Sequence, residues 1–323
     1  MSKRKINQQQ QRRVAVKQAK ILTTPELSGL VMAHHGKNLE VEDANGTIIM
    51  CNKRQHLGPI VPGDRIQWQL DPVGNTGVVI AIEPRTSLLT RPDTRGGVHA
   101  VAANVDQMFI TIAPNPAPSQ TTIDRYLIAA ANKDIEPIIL LNKEDLLPNE
   151  QQNTDLLDLL SIYSGIGIKI LVISAKKALN LAALHQMLAN KVSVFVGQSG
   201  VGKSSIIATF LPDMEIKIGD LSTLKQGKHT TTNARLYHIP QLHGSIIDSP
   251  GMREFPLWQL ELATLAYGFI EFRPYLQDCK FRNCTHNHEP NCGLLNAVSA
   301  GKISQIRLSS YQTIADSMKV DHH

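Results

Sequence analysis

Residues 192–205, VSVFVGQSGVGKSS, limit the fold more tightly than any other part of this 323-residue chain. Gly197 to Ser204 satisfies G-x-x-x-x-G-K-[ST], between an apolar strand-like run and the helix-compatible SSIIATF. Strand, glycine loop and helix in that order belong to a parallel α/β sheet. The glycines let backbone N–H groups curl around phosphate oxygens, and the following helix N-terminus favours negative charge there. Gly197, Gln198, Ser199, Gly200, Val201, Gly202, Lys203, Ser204 and Ser205 are thus the candidate phosphate site. Within it Lys203 suits the β and γ phosphates and Ser204 suits Mg²⁺.

Upstream, from about Val98, strand and helix patterns alternate: VDQMFITIAP, QTTIDRYLIAAANK, EPIILLNK, TDLLDLLSIY, IKILVISAK, NLAALHQMLAN. This alternation predicts a doubly wound parallel sheet, with function at the carboxyl ends of its strands. Two of those ends carry further motifs. Asn142, Lys143, Glu144 and Asp145 form N-K-x-D, and Ser174, Ala175 and Lys176 form S-A-K one strand later. A carboxylate at Asp145 accepts both the ring N–H and the exocyclic amine of guanine, a donor pair adenine lacks. The expected nucleotide is therefore GTP. An ATP-dependent kinase is the competing reading, and Asp145 argues against it.

Downstream, HGSIIDSPG ends a strand in D-x-x-G, with Asp248 suited to Mg²⁺ and the Gly251 N–H to the γ-phosphate. The polar GDLSTLKQGKHTTTNAR between them suits a switch loop, in which Thr230 or Thr231 contacts the metal. The Mg²⁺ candidates are thus Ser204, Asp248 and one of Thr230 and Thr231, with Thr231 carried forward. The familiar GTPase order begins with the phosphate loop; here N-K-x-D and S-A-K precede it. The same ring of elements is cut at a different place, which the proximity of domain termini permits. Met252 follows Gly251 where many GTPases have a water-orienting glutamine. His229 is the alternative water-orienting group or base, alongside Lys203 as the catalytic candidates, although a solvated loop histidine is an equal reading. Slow unaided turnover with activation by a partner follows.

Three regions flank this 93–255 unit. Residues 28–92 alternate short β-type runs with turns, which predicts an OB-type barrel, either nucleic-acid-binding or structural. Residues 1–27 form a basic tail, whose first basic residue is Lys3 and first acidic one Glu26, either a solvated leader or an arm that orders on RNA phosphates. Residues 256–323 are polar and helical, and they hold three of the 4 cysteines. Cys279, Cys284, His286 and Cys292 give C-x₄-C-x-H-x₅-C, a tetrahedral set suited to structural zinc, with His288 the alternative nitrogen ligand. Lys280, Arg282, Arg273, Lys302 and Arg307 near it either meet phosphate or are simply solvated. Cys51 stands apart as a buried small hydrophobe. The chain has no apolar run of membrane-spanning length and no signal-peptide pattern at its start, so a cytoplasmic protein without membrane partners is expected.

The permuted motifs N-K-E-D, S-A-K, G-Q-S-G-V-G-K-S, G-K-H-T-T-T and D-S-P-G, between a small barrel and the Cys/His cluster, closely resemble the RsgA (YjeQ) family of circularly permuted GTPases. The resemblance spans nearly all of the chain after the tail. It implies an OB-fold domain, a permuted GTPase domain and a zinc domain, acting in late maturation of the small ribosomal subunit. It also implies binding to rRNA, GTP hydrolysis to GDP stimulated by the subunit, and hydrolysis linked to release. The histidine of G-x-H-T-T-T, His229 here, takes part in hydrolysis by that analogy. Ser249 and Met252 depart from the usual residues without removing a group the chemistry needs, and the closing Asp321 to His323 have no assigned role. A ribosome-docking factor needs no self-association, so a monomer is expected. A nucleotide-regulated RNA-binding module with incidental hydrolysis is the alternative.

Overall fold

The computed structural model describes residues 25–36, 38–54, 56–71, 76–92, 97–147, 154–211, 234–248 and 262–320. His229, Thr230, Thr231, Ser249, Gly251 and Met252 lie outside them, as does most of the basic tail.

Strands β1 (Leu27–His35), β2 (Asn38–Glu42), β3 (Ile48–Lys53), β4 (Arg65–Leu70) and β5 (Gly77–Ile82) occupy the runs expected for the barrel. They pair in the order β1-β2-β3-β5-β4, and β4 returns to β1 to close the barrel. All these pairs are antiparallel except β3–β5, which is parallel. Closure removes the exposed edges a small sheet would otherwise carry. Alternate residues point inward, so Val31, Leu39, Val41, Cys51, Ile66, Trp68 and Val79 make one core. Cys51 is 1% exposed and its burial pushes the thiol up to about 11, as befits a packing residue. The turn at Gly63 (φ +90°) touches the next layer, where a Cβ would stand 2.1 Å from the Ala103 carbonyl oxygen. Beside it the buried Asp64 carboxylate accepts from the Val61 N–H and from Arg85.

A hairpin of β6 (Leu88–Pro92) and β7 (Val98–Ala103) follows. The sequence reading contains no such hairpin, and the expected boundary at 92/93 falls in its loop. Leu89, Val101 and Ala102 are buried, but the intervening Thr90, Arg91 and His99 disguise the two short strands.

Next come β8 (Gln107–Ile112), α1 (Gln120–Ala131), β9 (Glu136–Leu141), α2 (Thr154–Gly165), β10 (Lys169–Val172), α3 (Leu181–Leu188), β11 (Val192–Val196), α4 (Lys203–Phe210), β12 (Arg235–Ile239) and β13 (Gly244–Asp248). The sheet order is β10-β9-β8-β11-β13-β12, parallel except for β12. Its two faces divide by residue parity. Met108, Ile110 and Ile112 pack with α1 and α2, whereas Phe109, Ile138 and Phe195 pack with α3 and α4. This is the expected doubly wound sheet. One further pairing, Ala33 in β1 with Arg235 in β12, joins the barrel to its edge.

The C-terminal helices α5 (Leu262–Gly268), α6 (Arg273–Leu276), α7 (Gly293–Ser299) and α8 (Gln305–Val320) extend the core on the α1/α2 side. Arg307 of α8 is 2% exposed and is no surface cation. It donates to Asp124 of α1 and to both carboxylate oxygens of Glu271, and its guanidinium lies 4.5 Å from the Phe269 ring centroid. Tyr163 of α2 donates to the same Asp124 at 2.7 Å. The buried Asp124 carboxylate and the partly buried Glu271 carboxylate thus share one guanidinium, which ties the C-terminal helices to the sheet unit. Arg307→Ala is expected to destabilise the protein by about 3–5 kcal/mol, because both acids lose their counter-charge in an apolar setting. Chemical denaturation tests this, and a loss below roughly 1 kcal/mol contradicts it.

Candidate functional site

In chain order the strands progress outward from β8 to β9 to β10, and β11 then begins on the other side of β8. The reversal opens a crevice at the carboxyl ends of β8 and β11, the usual ligand position in an open α/β sheet. The phosphate loop leaves β11 at that point. Gly197 (φ +136°) passes so close to β8 that a Cβ would stand 2.1 Å from the Thr111 carbonyl oxygen. Gly202 (φ +97°) caps α4, and a Cβ there would stand 2.3 Å from Asn142 Nδ2. Side chains at either glycine would push the loop off its supports.

The N-K-x-D motif follows β9 and the S-A-K motif follows β10, so both reach the same edge. Asn142, 2% exposed, joins all three motifs. Its Nδ2 donates to the Val201 carbonyl in the phosphate loop at 3.0 Å, and its Oδ1 accepts from the Ala175 N–H at 3.1 Å. Lys143 takes the left-handed conformation (φ +63°) and donates from Nζ to the carbonyls of Gly200 (2.6 Å) and Asn115 (2.9 Å). Glu144 donates its backbone N–H to the Ile173 carbonyl. Asp145 accepts from the Ser174 hydroxyl, which itself accepts from the Lys177 N–H. That hydroxyl bond, with smaller pulls from its own backbone N–H, Lys176 and Lys177, holds the Asp145 carboxyl below the usual carboxylate range. The carboxylate is thus charged and oriented at neutral pH.

Lys203 Nζ rests on the carbonyls of Gly197 and Gln198, both at 2.7 Å. These contacts hold the ammonium across the loop mouth, where phosphate oxygens can replace the carbonyls. Ser204 is half-buried in the first turn of α4, with Ser199 and Ser205 exposed on either side of it in sequence. Asp248 ends β13, which runs parallel beside β11, so its carboxylate reaches the same edge. The structure therefore brings together every predicted nucleotide-site residue that it describes. Sequence reasoning missed Thr111 and Asn115. Both act through backbone carbonyls, which leave no side-chain signature, although IAPNP directly after an apolar strand marks where the chain must turn.

In the C-terminal unit Cys279, Cys284, His286 and Cys292 each offer a ligand atom, all within 4.8 Å of one another, a set that can hold a metal ion. Cys279 Sγ lies 3.9 Å from Cys292 Sγ and 3.5 Å from His286 Nδ1, which is 3.4 Å from Cys292 Sγ. His286 rather than His288 therefore completes the group, on a left-handed backbone (φ +59°). Without a cation, burial and the neighbouring thiols push Cys284 up to about 12, and burial lowers His286. Among the described residues no helix is long and apolar enough to cross a membrane.

A family model described as RsgA GTPase matches residues 82–258. The chain is 45% identical to the small ribosomal subunit biogenesis GTPase RsgA of Chromohalobacter salexigens, with 98% of this chain and 99% of that one covered. It is 43% identical to the protein of that description from Saccharophagus degradans, with 98% of each covered. Among solved structures it is similar to YjeQ from Thermotoga maritima, with TM-score 0.74, 31% identity, and 91% and 99% of the two chains covered. It is also similar to YloQ, described as a circularly permuted GTPase, with TM-score 0.71, 26% identity, and 92% and 96% covered.

Proposed function

The chain belongs to the RsgA GTPase family, and we propose that its nucleotide state controls RNA-bound docking on the small ribosomal subunit during late maturation. It is a GTP hydrolase acting in biogenesis of that subunit. The observation that carries this reading is the Asn142 bridge, which links a phosphate loop, a guanine-type carboxylate motif and S-A-K despite their permuted order. We assign guanine reading to Asp145 and Asn142, with Lys143, Glu144 and the 174–176 backbone shaping the pocket. Residues 197–205 cradle the phosphates, and Lys203 compensates their charge. Mg²⁺ would be held by Ser204, Thr231 and Asp248 and would supply further neutralisation. His229 orients the attacking water, Gly251 senses the γ-phosphate, and GDP is the product.

We take the four-ligand cluster to hold zinc. With Zn–S bonds of about 2.3 Å, tetrahedral geometry separates ligand sulfurs by roughly 3.8 Å. The 3.9 Å between Cys279 and Cys292 fits that spacing. The ion would be structural, since four protein ligands leave no open position. The units are assigned to residues 1–27, 28–92, 93–255 and 256–323, in a cytoplasmic monomer whose barrel and tail bind rRNA.

Asp145→Asn tests the nucleotide assignment. An amide in place of the carboxylate repels the guanine amine and suits a xanthine carbonyl. GTP affinity should fall about tenfold or more, and xanthosine triphosphate should become the better ligand. An unchanged preference in competition binding sinks the guanine reading.

A further inference from the structure

Phe281 lies at the tip of the turn between two cluster cysteines, Cys279 and Cys284. Its carbonyl accepts the Cys284 N–H at 3.3 Å, and the Lys280 N–H donates to the Asn291 carbonyl at 3.1 Å. The backbone is fixed on both sides, yet the ring stays 40% exposed. Lys280, Arg282 and Asn283 around it are exposed as well. This ring contributes little to the core, and the rigid turn keeps it from folding back.

Among the described residues no ion pair or side-chain hydrogen bond holds Lys280 or Arg282, in contrast to Arg273. That guanidinium caps the exposed Tyr267 ring at 4.3 Å and donates to the Tyr267 carbonyl. Lys280 Nζ stands 5.5 Å from the Phe281 centroid, near the outer limit of cation–π attraction, on a flexible stem that can swing away. An exposed ring flanked in sequence by two exposed cations, Lys280 and Arg282, matches the chemistry of an unstacked base with its adjoining phosphates. Bases within a duplex hide their faces, so such a ring selects single-stranded or bulged RNA.

We propose that Phe281 is a stacking platform for one unpaired nucleotide of RNA, with Lys280 and Arg282 neutralising the flanking phosphates. The proposal rests on the rRNA-binding reading above and adds to it the site and the strand state recognised.

The test is fluorescence anisotropy of the full chain with an unstructured single-stranded RNA and with a blunt-ended RNA duplex of equal length, after metal content is confirmed. Phe281→Ala should weaken single-strand binding roughly tenfold or more with little effect on the duplex. Its salt dependence should stay that of the wild type, whereas Lys280→Ala should lower the salt slope by about one. Phe281→Trp should keep affinity, and its added emission should be quenched by RNA. Basal GTP hydrolysis should be the same in all three, since none touches the nucleotide site. Unaltered binding by Phe281→Ala with no emission change in Phe281→Trp overturns the platform. So does a wild-type chain that ignores single strands, while subunit-stimulated GTP hydrolysis, measured separately, then still decides the proposed function. Weakened binding to small subunits with naked RNA unaffected assigns the ring to a protein contact and also overturns it.

Discussion

Lys203→Ala is expected to lower GTP hydrolysis by about 10²–10³-fold or more, the scale on which losing one preorganised charge-stabilising group is felt. The loop already holds the Lys203 ammonium on the carbonyls of Gly197 and Gln198. Phosphate oxygens then replace neutral carbonyl partners, with little reorganisation of the loop. Without the ammonium, the negative charge that spreads over the transferring phosphoryl group loses its nearest fixed counterpart. Glycine substitutions at 197 or 202 should inactivate by a different route, because their side chains collide with the Thr111 carbonyl and with Asn142. The two routes separate in binding assays: Lys203→Ala leaves the pocket's shape intact, whereas Gly202→Ala displaces the Asn142 bridge and disturbs guanine recognition. Near-normal turnover by Lys203→Ala contradicts the phosphate-loop assignment.

If the Cys279/Cys284/His286/Cys292 cluster holds zinc as proposed, its removal by a strong chelator or by Cys292→Ser should lower the melting temperature by about 10 °C or more. It should also open residues 277–292 to proteolysis. That segment has neither helix nor strand; besides the ligand cluster it is held by turn bonds, by the Glu289 carboxylate accepting from Thr285, Asn287 and His288, and by Tyr311 and Gln312. Zinc binding in finger peptides is worth roughly 10–16 kcal/mol. Here the loss should be smaller, because Phe269, Phe272, Leu308 and Tyr311 stay packed against the sheet unit without it. Damage should still reach that core through Tyr311, whose ring meets the His286 ring at 5.8 Å and whose hydroxyl donates to the Thr285 carbonyl. Cys51→Ala serves as the control, since Cys51 lies in the barrel core and should leave metal content unchanged. Cys292→Ser with full metal content and wild-type melting contradicts the site.

Most of the candidate nucleotide site is written in the sequence because the chemistry proposed for it is local. A phosphate loop, N-K-x-D and S-A-K each put side chain and turn within a few residues, and the strand–helix alternation between them predicts that they share one sheet edge. The permutation was legible for the same reason, since motif order is a property of the chain and not of its contacts. What escaped was carried by backbone atoms or by distant pairing. The carbonyls of Thr111 and Asn115 support the loop and the Lys143 ammonium without a distinctive residue type. Arg307 stood among apparent surface cations, yet its partners Asp124 and Glu271 lie far away in the chain and bury it. His286 and His288 are equivalent by spacing, and only the fold aims Nδ1 of the first at the thiols. The β6–β7 hairpin escaped because Thr90, Arg91 and His99 interrupt its apolar pattern.

Steady-state phosphate release tests the guanine-reading pocket and the ribosomal partner at once. GTP and, separately, ATP would be incubated with the full chain, with and without purified small ribosomal subunits, at moderate salt. Slow release from GTP alone, an increase of at least about a hundredfold when subunits are added, and no subunit-dependent release from ATP are expected. Slow GTP hydrolysis that subunits leave unchanged, or equal stimulation with ATP, would contradict the proposed function.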